Sequence, residues 1–165
     1  MKRLRRLAKE HVGNREQDEE SQIDVDALLR ASANENNQYL LNKSPNDIAK
    51  EVIDALIRYS IPDELLVGLS MKLTAYRYVD EIHHLHLNKQ VRWIRKPEFC
   101  REQTPELVRG GFMADISIRA TGIMVIVRSF NNIYITFNFN ECITFQRMGD
   151  DELLILYAQQ KHFHR

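Results

Sequence analysis

Three histidines fall within four residues near the middle of the chain, in the stretch Glu81-Ile82-His83-His84-Leu85-His86. Imidazole is the commonest nitrogen ligand of zinc in proteins, so this spacing raises the question of a metal site. In an extended segment, however, alternate histidines share a face while the middle one points away, and neither cysteine is close in sequence. Two more histidines stand near the C-terminus, His162 and His164. Solvated loop histidines are the favoured interpretation, and we assign no metal ligands, although the sequence leaves open whether these five side chains converge.

The remaining reactive groups do not form a catalytic motif. Cys100 and Cys142 lack a glycine-flanked nucleophile motif, and Cys142 falls among strand-forming residues, so two free, inert thiols are expected. Asp115 and Glu141 are suited to acid–base chemistry, but their spacing does not bring them together. Gly110-Gly111 precedes a strand and lacks the Lys-Ser/Thr of a phosphate loop, which favours a bend or bulge. We therefore predict no catalytic residue, no cofactor and no enzyme activity.

The segment from 91 to 128 is basic, with seven Arg and Lys residues against four Asp and Glu. Trp93 and Phe99 lie within it, and small β domains can present such aromatic and basic groups to bases and phosphates. Against this, Trp93 alternates with arginines along a strand, which places it on the buried side. The candidate contact residues for nucleic acid or a partner in this region are Arg92, Arg95, Lys96, Arg101 and Arg109.

The first 40 residues are segregated by charge. The basic residues Lys2, Arg3, Arg5, Arg6 and Lys9 are followed by a run of acids between positions 16 and 26. Few large apolar side chains are present, so most of this arm cannot offset its ordering entropy, apart from one short amphipathic helix around 23–29. We expect a mobile or partner-ordered arm whose cations contact phosphates or an acidic protein surface.

The composition places the chain among ordinary globular proteins. It has 165 residues, 44% of them hydrophobic, and 23 basic residues balance 23 acidic ones. The zero net charge excludes a uniformly basic nucleic-acid coat, and two cysteines are too few for a disulfide framework. No apolar run approaches the roughly 18 residues of a membrane span, and the N-terminus has no apolar stretch of signal-peptide length. We expect an intracellular protein.

Helix signals begin at Ser44-Pro45-Asn46-Asp47, which combines a capping hydroxyl with a proline at the first helical position. Ile48, Val52 and Leu56 then form one apolar stripe. A second start signal at Ser60-Ile61-Pro62-Asp63 precedes another leucine stripe. A helical hairpin is therefore predicted over about 45 to 75.

From Val91 onward the hydrophobic period drops to two, which is typical of β-strands. Five short strands are predicted, at about 91–94, 112–119, 123–127, 133–139 and 143–146, before a short C-terminal helix capped by the acids at 150–152. The fold class is α+β. Strands this short and tightly connected favour a closed antiparallel barrel of the Sm or Src-homology-3 kind, and the rival is an open sheet with the hairpin over one face. The predicted organisation is an arm at 1–40, a helical hairpin and connector at 41–86, and the β domain with its helix at 87–165.

Several short motifs follow one another along the chain in a characteristic order. They are Tyr76-Arg77-Tyr78-Val79-Asp80-Glu81-Ile82, Val91-Arg92-Trp93-Ile94, Gly110-Gly111-Phe112, Cys142-Ile143-Thr144-Phe145-Gln146-Arg147 and Asp151-Glu152 before an apolar run. Over about residues 76 to 156 the chain resembles small uncharacterised proteins of large eukaryotic (nucleocytoplasmic) DNA viruses. The resemblance implies a viral origin, a cytoplasmic site of replication or assembly, and a place in the particle. It supplies no activity to carry over.

The leading functional hypothesis is a non-enzymatic structural or interaction protein, a viral assembly or virion component. It would dock onto other protein subunits through the β domain and the N-terminal arm. The second hypothesis is a nucleic-acid-binding module that uses the basic 91–128 region and the arm. The oligomeric state is left open.

Overall fold

The computed structural model describes residues 23–101 and 104–163 and shows an α+β fold. The helices are α1 (Val25–Ala33), α2 (Pro45–Arg58), α3 (Asp63–Lys72) and α4 (Asp150–Phe163). The strands are β1 (Tyr76–Val79), β2 (Gln90–Arg95), β3 (Gly111–Arg119), β4 (Gly122–Arg128), β5 (Tyr134–Asn138) and β6 (Cys142–Arg147). Short 3-10 turns span Glu35–Leu40, Ile82–His84, Pro97–Phe99 and Phe139–Glu141. Within these residues no helix combines the length and the apolar character that crossing a bilayer requires.

The six strands form one open antiparallel sheet in the order β1-β6-β2-β3-β4-β5. The closed five-stranded barrel that we predicted is not formed, and the open sheet with the helical hairpin is the architecture observed. The reason is strand β1, which the sequence pattern had left in a connector. It pairs with β6 from Tyr76↔Arg147 to Val79↔Thr144. The sheet thereby gains a sixth strand at one end, and β5 stays at the other.

The predicted helical hairpin is confirmed in α2 and α3. A capping box starts α2, because the Ser44 hydroxyl accepts from the Asp47 amide at 3.2 Å and the Asp47 carboxylate accepts from the Ser44 amide at 2.7 Å. The buried stripe that includes Leu56 packs over one face of the sheet, against Ile94 and Phe145. This covered face anchors the central strands.

Residues 25–40, which the sequence placed in the N-terminal arm, pack on the C-terminal helix. Ala31 and Leu40 are buried with Ile48 of α2 and with Ile155 and Leu156 of α4. The first turn of α1 is capped by Asp24, whose side chain accepts from the Ala27 amide at 3.1 Å. The basic residues of the arm at positions 2–9 lie outside the described residues.

The opposite face of the sheet carries a second apolar cluster centred on Trp93. Its ring stacks on Phe137 with centroids 4.1 Å apart and an interplanar angle of 15°. The chain enters β3 through Gly110, whose φ is +71°. A β-carbon on Gly110 would lie 1.8 Å from the Val91 carbonyl oxygen, so glycine is required there. The bend predicted at this glycine pair is therefore a close approach of the chain entering β3 to the Val91 carbonyl of β2.

Candidate functional site

An apolar groove opens beside strand β5, on the face of the sheet that carries Trp93. Ile135 lies on that face because it pairs with Val127, which belongs to the Trp93 cluster. The groove has a volume of about 410 Å³. We call it the β5 groove and define it by its lining residues, Trp93, Val108, Arg109, Gly110, Ser129, Phe130, Asn131, Ile133 and Ile135.

Strand β5 lies at the end of the sheet and exposes large apolar side chains. Ile133, immediately before the strand, is 61% exposed, and Ile135 is 38% exposed; both line the groove. Tyr134 is 66% exposed on the other face of the strand. Within the described residues β5 pairs only with β4, so its outer edge offers backbone donors and acceptors to another strand. Exposed apolar residues beside a free strand edge are typical of a surface that pairs with a partner.

The turn before β5 is held in place by polar contacts. The Ser129 amide donates to the Ile133 carbonyl at 2.8 Å, and the Arg128 guanidinium donates to the Asn132 side-chain carbonyl at 3.0 Å. Asn132 takes a positive φ of 59°, a conformation that asparagine tolerates in tight hairpin turns. The groove wall formed by residues 129–133 is therefore pre-organised.

Arg109 gives the groove a positive rim. Its guanidinium lies 4.6 Å from the centroid of the Phe130 ring, a cation–π contact. It is the charged residue among those that line the groove. An acidic side chain of a partner would therefore be favoured next to the apolar floor.

Three of the other basic residues predicted as contacts, Arg92, Arg95 and Lys96, make contacts within the fold. Arg92 donates from Nε to the Val108 carbonyl at 2.9 Å, and Arg95 pairs with Glu141 at 3.4 Å. Lys96 donates to the Asn140 carbonyl at 2.8 Å and lies over the Tyr59 ring. Arg101 is exposed. Lys2, Arg3, Arg5, Arg6 and Lys9 lie outside the described residues.

The two aromatic side chains considered for base stacking differ in exposure. Trp93 is only 8% exposed and is already stacked on Phe137. Phe99 is exposed, at the end of the 3-10 turn Pro97–Phe99. Stacking by Trp93 on a nucleic-acid base would require its displacement from the core.

A buried charge network that no sequence pattern predicts lies on the Trp93 face, at the β1 end of the sheet. Glu152 of α4 is 0% exposed and Arg77 of β1 is 1% exposed, with Arg77 Nε 2.9 Å from Glu152 Oε1. The Lys89 Nζ lies 3.0 Å from Glu152 Oε2, and the Tyr39 hydroxyl also donates to Glu152. Gln146 completes the network by accepting from Arg77 at 3.0 Å.

The protonation state of Glu152 decides what this network can do. Burial acts to raise the pKa of Glu152, but Arg77, the Tyr39 hydroxyl, the Gly149 amide and Lys89 together outweigh it and hold the pKa at about 2. Burial raises the pKa of Tyr39 above its usual value of 10.0. A carboxylate and a phenol whose pKa values lie far from 7 are poor proton-transfer groups at pH 7. The network is a structural clamp between α4, β1 and the 3-10 turn Glu35–Leu40.

The histidines separate into two groups. His86 belongs to the charge network, with Nδ1 3.8 Å from Glu152 Oε1. His83 and His84 instead converge with Glu81, and one ligand atom from each lies within 4.8 Å of the others. We call this group the histidine turn. The side chains of His162 and His164 lie outside what the structure describes.

The remaining predicted groups stay apart. Cys100 and Cys142 are free thiols, and burial raises the pKa of Cys142 to about 12, which keeps it in the unreactive thiol form. Asp115 accepts from the Ile116 amide at 2.8 Å, whereas Glu141 pairs with Arg95. These carboxylates therefore have separate partners.

Comparison with known proteins adds no family assignment. No family model, no curated protein and no solved structure matches this chain. The resemblance to viral proteins stays a prediction from the sequence motifs.

Proposed function

We propose that this chain is a non-enzymatic interaction protein that binds an extended segment of a partner protein along the edge of β5. The partner segment adds a strand to the sheet and places an apolar side chain in the β5 groove. The observation that carries the proposal is the free β5 edge beside a groove whose lining includes the exposed Ile133 and Ile135. In the setting that the sequence resemblance implies, the partner is another subunit of a viral assembly or particle.

Three features support a partner of this chemistry. The groove floor reaches Trp93, so an inserted apolar side chain would extend an existing core cluster. The turn that forms one wall is fixed by its own hydrogen bonds, which lowers the ordering cost of binding. Arg109 at the rim favours an acidic residue close to the apolar anchor.

The buried groups give little support to catalysis. The buried charged residues in the described part of the chain, Arg77 and Glu152, both belong to the charge network, and its carboxylate has a pKa of about 2. Its arginine and carboxylate are sealed from solvent. The basic start of the predicted arm, residues 2–9, is a further contact element of the proposal.

The sole tryptophan of the chain provides a direct test, because it lines the groove. Extended peptides are selected from a displayed random library against the full-length protein and then titrated while Trp93 fluorescence is followed. We expect enriched peptides that alternate apolar and acidic residues and that change Trp93 emission on saturation. Enrichment of no such sequence would contradict the proposal.

A matched pair of variants locates the binding surface. Ile133→Asp places a charge in the groove wall, whereas Ile118→Asp alters a side chain that is 85% exposed on β3 and does not line the groove. Loss of a well-packed interface anchor costs about 2 kcal/mol or more, so Ile133→Asp should weaken binding by about 30-fold. Ile118→Asp should bind normally. Equal effects of the two variants would refute the assignment of the site.

Nucleic-acid binding is the competing function, and it can be tested with the same protein. Fluorescence anisotropy with labelled duplex and single-stranded DNA and RNA is measured over a range of salt concentrations, with the full chain and with residues 1–20 removed. We expect weak binding that the truncation abolishes. Micromolar binding that survives the truncation and falls steeply with salt would favour the 91–128 region as a nucleic-acid surface and overturn the proposal.

A further inference from the structure

We propose that Glu81, His83 and His84 bind one divalent transition-metal ion of the zinc class. The three side chains offer two imidazole nitrogens and one carboxylate oxygen within 4.8 Å of one another. Zinc accepts this mixture of nitrogen and oxygen ligands, whereas Mg²⁺ and Ca²⁺ prefer oxygen ligands alone. The site is separate from the β5 groove and does not depend on the proposed docking function.

The local backbone explains why these residues converge. Glu81 immediately precedes the 3-10 turn Ile82–His84, and the His84 amide donates to the Glu81 carbonyl at 3.0 Å. The turn folds the chain back so that ligand atoms of Glu81 and His84 lie within 4.8 Å of each other. His83 Nε2 lies 3.1 Å from Glu81 Oε2, and the two imidazole rings have centroids 4.2 Å apart. The alternating geometry expected of an extended segment does not occur here.

The turn is anchored to the buried charge network beneath it. Arg77 donates from Nη2 to the His84 carbonyl at 2.6 Å, and the same guanidinium is paired with Glu152. The His84 ring also packs on Tyr39, with centroids 5.0 Å apart. Because the contacts with Arg77 and Tyr39 already fix His84, a metal ion would need to order only the exposed Glu81 and His83 side chains.

The charges around the turn suit a cation. Asp80 Oδ1 lies 3.7 Å from His84 Nδ1 and adds a second carboxylate beside the site. The positive charge of Arg77 is offset by its contact with Glu152.

The site keeps an open side. Glu81 and His84 border a cavity of about 310 Å³, which Asp80 also lines. Three protein ligands leave a zinc ion at least one coordination position, and water fills it from this cavity. Three-ligand sites of this kind differ from closed structural sites, in which four side chains complete the coordination.

The test uses tag-free, full-length protein. Zn²⁺ is titrated by calorimetry, and Co²⁺ is added as a spectroscopic probe whose visible bands report imidazole coordination. We expect one equivalent of either ion to bind, with no saturable binding of Mg²⁺. Absence of saturable Zn²⁺ and Co²⁺ binding would overturn the proposal.

Variants assign the ligands. His83→Gln and Glu81→Gln alter exposed side chains, so they should fold normally and lower Zn²⁺ affinity by about 10- to 100-fold or more, which is the loss seen for weaker outer-shell contacts. His84→Gln should abolish the Co²⁺ bands. The control is the double variant His162→Gln, His164→Gln, which should bind normally. Loss of binding in this control, or its persistence when His83 and His84 are both replaced, would refute the assignment.

Discussion

Glu152→Gln tests the buried charge network, because it removes a charge and retains the shape of the side chain. In the native protein this carboxylate contacts Arg77 at 2.9 Å and Lys89 at 3.0 Å while remaining fully buried. The neutral amide leaves the Arg77 guanidinium buried without its counter-charge. Breaking one side of a buried ion pair is strongly destabilising for that reason.

The loss of unfolding free energy expected for Glu152→Gln follows both from the buried ion pair and from the pKa of Glu152. Removing one partner of a buried ion pair typically costs about 3–5 kcal/mol of unfolding free energy. The pKa of Glu152 falls from 4.5 to about 2 on folding, and this difference corresponds to about 3 kcal/mol of stability at neutral pH. The two values agree, so we expect Glu152→Gln to lose about 3 kcal/mol.

The assay is equilibrium denaturation with urea at pH 7, followed by far-UV circular dichroism. Asp151→Asn is the matched control, because it removes a neighbouring exposed carboxylate from the same first turn of α4. Its expected cost is below about 1 kcal/mol, the usual value of a helix-terminal charge. A loss below 1 kcal/mol for Glu152→Gln would refute the view that this network clamps α4 to the sheet.

The pH dependence gives the same prediction a second readout. The folded pKa of Glu152 is depressed, so its contribution is present above pH 4.5 and is lost as the pH falls toward 2. The stability difference between wild type and Glu152→Gln should therefore narrow by about 3 kcal/mol between pH 5 and pH 2. A difference that stays constant over this range would contradict the assignment of the charge to Glu152.

Other substitutions probe the elements that position the sites. Gly110→Ala should destabilise the fold by well over 1 kcal/mol, since the new β-carbon meets the Val91 carbonyl. Gly68 lies in the middle of α3 with free space around it, so Gly68→Ala should stabilise the fold by about 0.5–1 kcal/mol. Ser44→Ala should remove the α2 capping box at a cost of about 1 kcal/mol, or about 2–4 °C in melting temperature. Leu56→Ala should cost about 2–5 kcal/mol by leaving a cavity between α2 and the sheet. Calorimetric melting of the four variants checks these values. A Gly110→Ala protein as stable as wild type would contradict the close approach of Gly110 to the Val91 carbonyl.

The sequence was informative where a local rule acts alone. The capping signal at Ser44 and the period-two pattern of 133–139 both mark elements that the structure contains. Strand β1 was missed because both of its faces are covered. Tyr76 and Tyr78 pack toward the helical hairpin while Arg77 enters the charge network, so neither a simple alternation nor an apolar run appears.

The sites depend on long-range pairings that no local pattern encodes. Arg77 and Glu152 are 75 residues apart, and Glu152 looked like an ordinary helix-capping acid. The β5 groove brings together Trp93 of β2 and Ile135 of β5, although β3 and β4 lie between these strands in the sheet. No local sequence pattern predicts this order of strands. Metal ligation by the histidines was considered only for an extended segment, whereas Ile82–His84 form a 3-10 turn in which Glu81, His83 and His84 come together.

The central claim is that a partner segment pairs with the outer edge of β5. Hydrogen–deuterium exchange of the full-length protein, with and without a saturating library-selected peptide, tests it most directly because strand addition protects backbone amides. We predict slower exchange in Tyr134–Asn138 and unchanged exchange in the other end strand, Tyr76–Val79. Unchanged exchange in β5 with the peptide bound, or protection confined to other segments, would contradict the account.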